Sequence, residues 1–169
     1  RRQRQMCIRD SADAGAFALA GSLIAAGARR DRLYQATEGA QHPARLSLMG
    51  TALGRLEWLA DSQIAIMGLS HEDFVAAGSG PEVLAGVVNE PLSVHGCSVS
   101  VLCTEVTPGL VKVSMRSLPD EHGRPVVDVA EFAAQFGGGG HRTAAACRIP
   151  GNLTTTIATI RDALRSAIS

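Results

Sequence analysis

The chain has 169 residues, 16 basic and 16 acidic, with 46% hydrophobic and 19% charged residues. This composition excludes a disordered chain, a collagen-like repeat and a disulfide scaffold, and suits one ordinary soluble domain, or one domain with part of another. Zero net charge excludes holding long nucleic acid by charge alone, one Trp, one Tyr and four Phe leave little for a base-stacking platform, and no apolar run reaches the roughly 18 residues a membrane helix needs.

Residues 1–11 (RRQRQMCIRDS) carry four arginines against one aspartate and read as a solvated basic tail. Met6 to Ser11 also resembles the translation of a transposon end used in preparing sequencing libraries. We therefore expect a non-native tail, with the native protein running from near Ala12.

Residues 12–28 are Ala-rich, with Phe17, Ala20 and Ile24 at helical spacing, and predict a helix ended by Gly27. Arg29–Thr37 predicts a short helix, and Gly39–Pro43 a connection. Pro43 opens an amphipathic helix of about four turns on Leu46, Met49, Leu53 and Leu56, widened by Leu48, Ala52 and Leu59, with Trp58 in the core. Gln63–Leu69 reads as a strand. Ser70 and Asp73 form a helix N-terminus. Gly78-Ser79-Gly80 ends that helix, and Pro81 opens another on Leu84, Val87 and Val88.

Ser98–Val106 and Leu110–Ser117 form a hairpin about Thr107-Pro108-Gly109. Along the second strand Val111, Val113 and Met115 share one face, and Lys112, Ser114 and Arg116 the other. That polar face is either solvated or a floor for an anionic ligand, and Lys112 is the only lysine in the chain. Val126–Phe136 predicts a helix turning Val129, Phe132, Ala133 and Phe136 inward. Arg142–Ile149 reads as a strand and Leu153–Ile168 as a closing helix on Ile157, Ile160, Leu164 and Ile168. The order implies an α/β domain with a mixed sheet and flanking helices, preceded by connector helices.

No pair among Cys7, Cys97, Cys103 and Cys147 forms C-x-x-C, and no histidines have H-E-x-x-H spacing, so no metal site is read in this chain. Cys103 and Cys147 lie in apolar runs and read as small buried hydrophobes. Reduced cysteines and no secretory signal point to the cytoplasm. Gly137-Gly138-Gly139-Gly140-His141 holds more glycine than a helix stop requires. Such a segment is either a flexible connection or bare backbone whose N–H groups meet phosphate or sugar oxygens. His141 and Arg142 add donors beside it. It is not a P-loop, lacking the terminal G-K-[ST], and it runs from helix to strand, the reverse of the dinucleotide-binding order.

Together the segments Val111–Ser117, Asp128–Phe136 and Gly137–Ala146 resemble the DHH-associated C-terminal domain of DHH phosphoesterases. They are most similar to oligoribonucleases that also act as adenosine 3′,5′-bisphosphate phosphatases. The resemblance covers residues 61–169. Residues 12–60 resemble the end of that family's N-terminal DHH domain and its connector. Ala146 departs from the pattern, which often has glycine there.

The resemblance implies the substrate-binding half of a manganese-dependent phosphoesterase acting on short oligonucleotides. Manganese would belong to the DHH domain. No Asp-His-His run occurs here, and Asp13, though set in a segment superficially similar to a metal-binding one, is too close to Leu23–Gly27 to be assigned as a ligand. The chain alone is expected to bind and not to hydrolyse, with no catalytic residue of its own. Arg116 would pair with a phosphate and Ser117 position it. The backbone of Gly137, Gly138, Gly139 and Gly140 with His141 and Arg142 would hold a second phosphate or the ribose, and Asn89 the base or sugar. Its partners would be short oligonucleotides or mononucleotides, the DHH domain and, in a homodimer, a second copy, with no membrane. Two alternatives are a non-catalytic nucleotide or RNA module, since a related domain ends alanyl-tRNA synthetases, and the same domain from a cyclic-dinucleotide phosphodiesterase or a single-strand DNA exonuclease.

Overall fold

A computed structural model describes residues 14–34, 41–61 and 63–167; the basic tail, the end of the expected Arg29–Thr37 helix, the start of the Gly39–Pro43 connection and Ile168 lie outside them. The chain divides into two compact units, 1–41 and 42–169. The first holds α1 (Ala14–Ala25) and α2 (Arg30–Tyr34). Gly27 ends α1 at φ 93°, and the Ala28 N–H donates to the Leu23 carbonyl, as helix termini of this type require. No residue of α1 is buried, and Phe17, Leu19, Leu23 and Ile24 are all exposed.

The second unit is a six-stranded sheet with helices on both faces. Its elements are α3 (Pro43–Gly54), β1 (Glu57–Leu59), β2 (Ile64–Leu69), α4 (His71–Ala77), two 3-10 turns (Pro81–Leu84 and Val87–Ser93), β3 (Val99–Thr107), β4 (Leu110–Ser117), α5 (Val129–Ala134), β5 (Gly139–His141), β6 (Ala144–Pro150) and α6 (Leu153–Ala167). The strand order is β1-β2-β3-β4-β6-β5, with β2 and β3 parallel and every other pair antiparallel. One core lies between the sheet and α5 with α6, centred on Val101, Val113, Met115, Phe132 and Ile160. The other lies under α3, α4 and the 3-10 turns, around Leu48, Met67, Leu69, Phe74 and Leu102.

Several elements differ from the sequence reading. Helix α3 forms, but its buried stripe is Ala44, Leu48 and Ala52, one turn apart each. Leu46 and Leu53 face out, and Trp58 is 40% exposed instead of core. The helix stops at Gly54, and Glu57–Leu59 becomes a strand. Ala60 and Asp61 make the turn into β2 at φ 50° and 51°, without a glycine or asparagine to announce it.

The stretch after Pro81 is two 3-10 turns instead of one helix. Gly86 breaks it at φ 84°, and Arg45 Nη1 takes the Val83 and Ala85 carbonyls at 2.9 and 2.7 Å. Helix α5 is shorter than expected because Asp128 caps it, accepting from the Ala130 and Glu131 N–H groups. The Asp73 carboxylate accepts from the Ser70 N–H at 2.7 Å and pairs with Arg55 at 2.6 Å, joining the end of α3 to the start of α4. Burial pushes that carboxyl up, but the Arg55 and Ser70 hydrogen bonds outweigh it and hold the pKa low.

The two sides of α3 give a direct test. Leu48→Ala should cost about 2–5 kcal/mol in a urea titration, and Leu46→Ala less than about 0.5 kcal/mol. Equal losses would mean the helix is turned as the sequence pattern suggests.

Candidate functional site

Strand β4 lies between β3 and β6, so its two faces are committed differently. Val111, Val113 and Met115 are fully buried on the α5–α6 side. Lys112, Ser114 and Arg116 point to the other face. Over β2 and β3 that face is covered by α3, α4 and the 3-10 turns; over β4, β6 and β5 its residues are exposed or half-buried.

The register arranges this open area in three rows. Arg116 lies opposite Ala144, and Ala144 opposite His141. Ser114, Ala146 and Gly139 make the next row, and Lys112 with Arg148 the third. Rows are about 7 Å apart along the strands, and residues two strands apart about 10 Å. Arg116 and His141 therefore flank the small Ala144 on one face. On the far side of Arg116 stands Ser100 of β3, fully buried, whose Oγ has no hydrogen-bond partner among the described residues. The Arg116 Nη1 donates to the Met115 carbonyl at 2.7 Å.

The other residues singled out from the sequence are placed differently. Ser117 is on the buried face, not beside Arg116. Its Oγ accepts from the Val127 N–H at 3.2 Å, tying the segment after β4 back to the strand. Arg142 donates through Nε to Asp128 at 2.7 Å, so it braces the start of α5 and has only its terminal nitrogens to offer. Asn89 is exposed on the second 3-10 turn, which packs on β3 and β4.

The four glycines do not form a free loop. Gly137 (φ 70°) and Gly138 close α5, donating to the Ala134 and Ala133 carbonyls at 3.1 and 2.9 Å. Those two N–H groups are engaged within the fold. Gly139 and Gly140 enter β5, the sheet's last strand, one side of whose backbone is unpaired. A Cβ on Gly138 would overlap Cys147 and the Ala146 carbonyl, and one on Gly140 would lie 2.6 Å from the Ala145 Cα. Gly139 alone in β5 meets nothing, and it lies on the open face beside Ala146. The turn joining β5 to β6 is fixed at both carbonyls: Arg142 O accepts from Val129 N and Thr143 O from Ser117 N, each at 3.0 Å.

Cys97, Cys103 and Cys147 are free and buried, and burial pushes the Cys103 thiol up to about 12, so it is a packing group. No three His, Cys, Asp or Glu side chains are grouped so that they could hold a metal ion among the described residues. No helix among them is long and apolar enough to cross a membrane. The alternation of β4 had placed Lys112, Ser114 and Arg116 together in the sequence. Arg148 and Ala144 were not recognised, because only the β4–β6 register brings them to that face.

The DHHA1 domain matches residues 62–169, from the segment before β2 to the end of the chain. This chain belongs to the DHHA1 domain family. The fold of the DHHA1 domain recurs in an exopolyphosphatase-related protein from Bacteroides fragilis, with a TM-score of 0.80 and 24% identity over 92% of this chain and 44% of that one. It recurs again in PggH, a pGpG-specific phosphodiesterase from Vibrio cholerae, with a TM-score of 0.52 and 15% identity over 90% of this chain and 50% of that one. At these identities the likeness is one of fold, and the chain spans half or less of each protein.

Two predictions follow from the packing of this DHHA1 domain. Gly138→Ala should destabilise it by about 1–3 kcal/mol through overpacking against β6, while Gly139→Ala should change stability by less than about 1 kcal/mol; thermal melting separates the two. Second, the Arg142 hydrogen bond chiefly, with the Glu131 and Ala130 N–H groups, holds the Asp128 carboxyl below its ordinary 3.8 against a burial effect that raises it. A lowered carboxyl contributes stability above pH 3.8, and loses it as pH falls through the lowered value. Asp128→Asn keeps the cap and removes the charge. Its melting temperature should lie below that of the unaltered chain near neutral pH, with the gap closing below pH 3.8.

Proposed function

We propose that the open face of β4, β6 and β5 binds the phosphate end of a short oligonucleotide, or a mononucleotide such as adenosine 3′,5′-bisphosphate, for a phosphoesterase. The observation that carries this reading is the row Arg116–Ala144–His141: a guanidinium and an imidazole about 10 Å apart across a residue with almost no side chain. Membership of the DHHA1 family supports it, as does the pGpG specificity of PggH.

Arg116 pairs with one phosphate through a charge-assisted hydrogen bond. His141 holds a second phosphate or the ribose, together with the unpaired backbone edge of Gly139 and Gly140. Gly139 and Ala146 leave the room in which the ligand lies. The terminal nitrogens of Arg142 and the Asn89 amide reach outlying sugar or base atoms. Ser117 acts by holding the segment that follows β4, and Gly137 and Gly138 by shaping the chain's entry into β5.

Each of these groups binds or orients, and none is placed here as acid, base or nucleophile. In this reading manganese belongs to a DHH domain. Residues 12–60 are read as the end of that domain and its connector, residues 61–169 as the substrate-binding domain, and residues 1–11 as non-native. Unpaired buried cysteines support a cytoplasmic protein.

Arg116→Ala and His141→Ala should each weaken binding of a diribonucleotide by about 1.5–3 kcal/mol, roughly 10- to 150-fold, with the melting temperature unchanged. Calorimetric titration of the chain with a diribonucleotide, a cyclic dinucleotide and a longer single-stranded DNA checks this. Unchanged affinity in both variants would refute the site. Tightest binding of the cyclic dinucleotide or the longer DNA would move the substrate to that class.

A further inference from the structure

The third row of the open face poses a question that the Arg116 row does not answer. Lys112 and Arg148 lie directly opposite each other on β4 and β6. Like charges in that position repel. Both side chains are exposed, and among the described residues neither has a carboxylate partner. Glu105, next along β3 from the residue opposite Lys112, points to the other face. Its carboxylate accepts from the Gly109 and Leu153 N–H groups at 3.0 and 3.2 Å.

The two cations also border a cavity. It is a half-open hollow of about 140 Å3 lined by Lys112, Ala146, Cys147, Arg148, Gly137 and Gly138. A water occupies about 30 Å3, so this is room for several waters or one small anion. Its glycine wall offers no free donors, since those N–H groups cap α5. The Lys112 ammonium and the Arg148 guanidinium are therefore the groups that would meet an occupant, and an anion between them would relieve their repulsion.

We propose that this cavity is a second phosphate subsite, on the same face as Arg116 and four residues along β4 from it. At 3.4 Å per residue the two positions are about 13–14 Å apart, and the long flexible stems of Lys and Arg let their tips close part of that gap. One phosphate cannot occupy both. The ligand class that fits is an oligonucleotide with successive phosphates, a 5′-phosphorylated dinucleotide or trinucleotide, in preference to a mononucleotide. This subsite rests on the nucleotide reading above and adds to it a means of sensing substrate length.

The test titrates the chain with adenosine 5′-monophosphate, 5′-phosphorylated diadenylate and 5′-phosphorylated triadenylate at several salt concentrations, by NMR shift perturbation. The Lys112→Gln/Arg148→Gln double variant and Arg116→Ala are compared with the unaltered chain. The unaltered chain should bind the longer ligands more tightly than the monophosphate, and with a steeper salt dependence. The double variant should lose roughly tenfold or more of its triadenylate affinity, with a shallower salt slope and unchanged monophosphate affinity. Arg116→Ala should weaken all three ligands. The melting temperature of the double variant should stay level or rise, since a repulsive pair is removed.

Equal triadenylate binding by the double variant and the unaltered chain would overturn the subsite alone, as would equal losses for the monophosphate and triadenylate. A fall in melting temperature would assign the pair to the fold and overturn the subsite. Failure of the unaltered chain to bind any of the three would overturn the nucleotide reading, and the subsite with it.

Discussion

The alternation of β4, clamped between β3 and β6, governs both faces of the sheet in the second unit. Val111, Val113 and Met115 have no exposed surface, and they meet α5 and α6 from the centre of the sheet. Side chains on a strand repeat every two residues, so a slip of one position would bury Lys112 and Arg116 and turn the three apolar side chains outward. Burying two cations without partners costs far more than the slip could return. Hydrophobic burial on one face thus holds the register that sets Arg116 beside Ala144, and Lys112 beside Arg148, on the other.

The glycine run shows how one sequence feature divides into different physical tasks. Gly137 supplies a left-handed residue that ends α5. Gly138 and Gly140 let β5 approach the β6 backbone too closely for any Cβ. Gly139, within β5, has open space around it, and it lies where the face widens between Ala146 and the sheet edge. Backbone conformation accounts for one of the four glycines and close packing for two more. The fourth gives the face its clearance.

Much of this was legible in the sequence. Strands β2, β3 and β6 read as short apolar runs, β4 alternates and helix α6 has a helical apolar stripe, and the mixed α/β class follows from their order. What was hidden has local causes. Trp58 and Leu59 were read into a helix because the turn at Ala60-Asp61 carries no glycine or asparagine. Val87 and Val88 suited a helix equally well, and only the grip of Arg45 on two carbonyls 38 and 40 residues away shows why none forms. The glycines looked like a flexible ligand loop because a hydrogen bond from Gly138 to Ala133, or a clash between Gly138 and Cys147, cannot be read from one segment. For the site, Arg116 and His141 share a face, whereas Ser117 does not. Adjacent residues on a strand point in opposite directions, and β4 is regular through its last residue.

The pinned turn after His141 has a consequence for how such a face exchanges ligand. Both peptide carbonyls of the turn are held, one by the first residue of α5 and the other by the last residue of β4. The Arg142–Asp128 contact braces the same corner from outside. A binding ledge built this way is organised before any ligand arrives. Association then forfeits little backbone entropy, and its rate is not gated by loop closure. The same stiffness limits accommodation. In the proposed reading, cations rooted at strand-register intervals on a stiff backbone distinguish ligands by the spacing of their negative charges, largely whichever bases they carry.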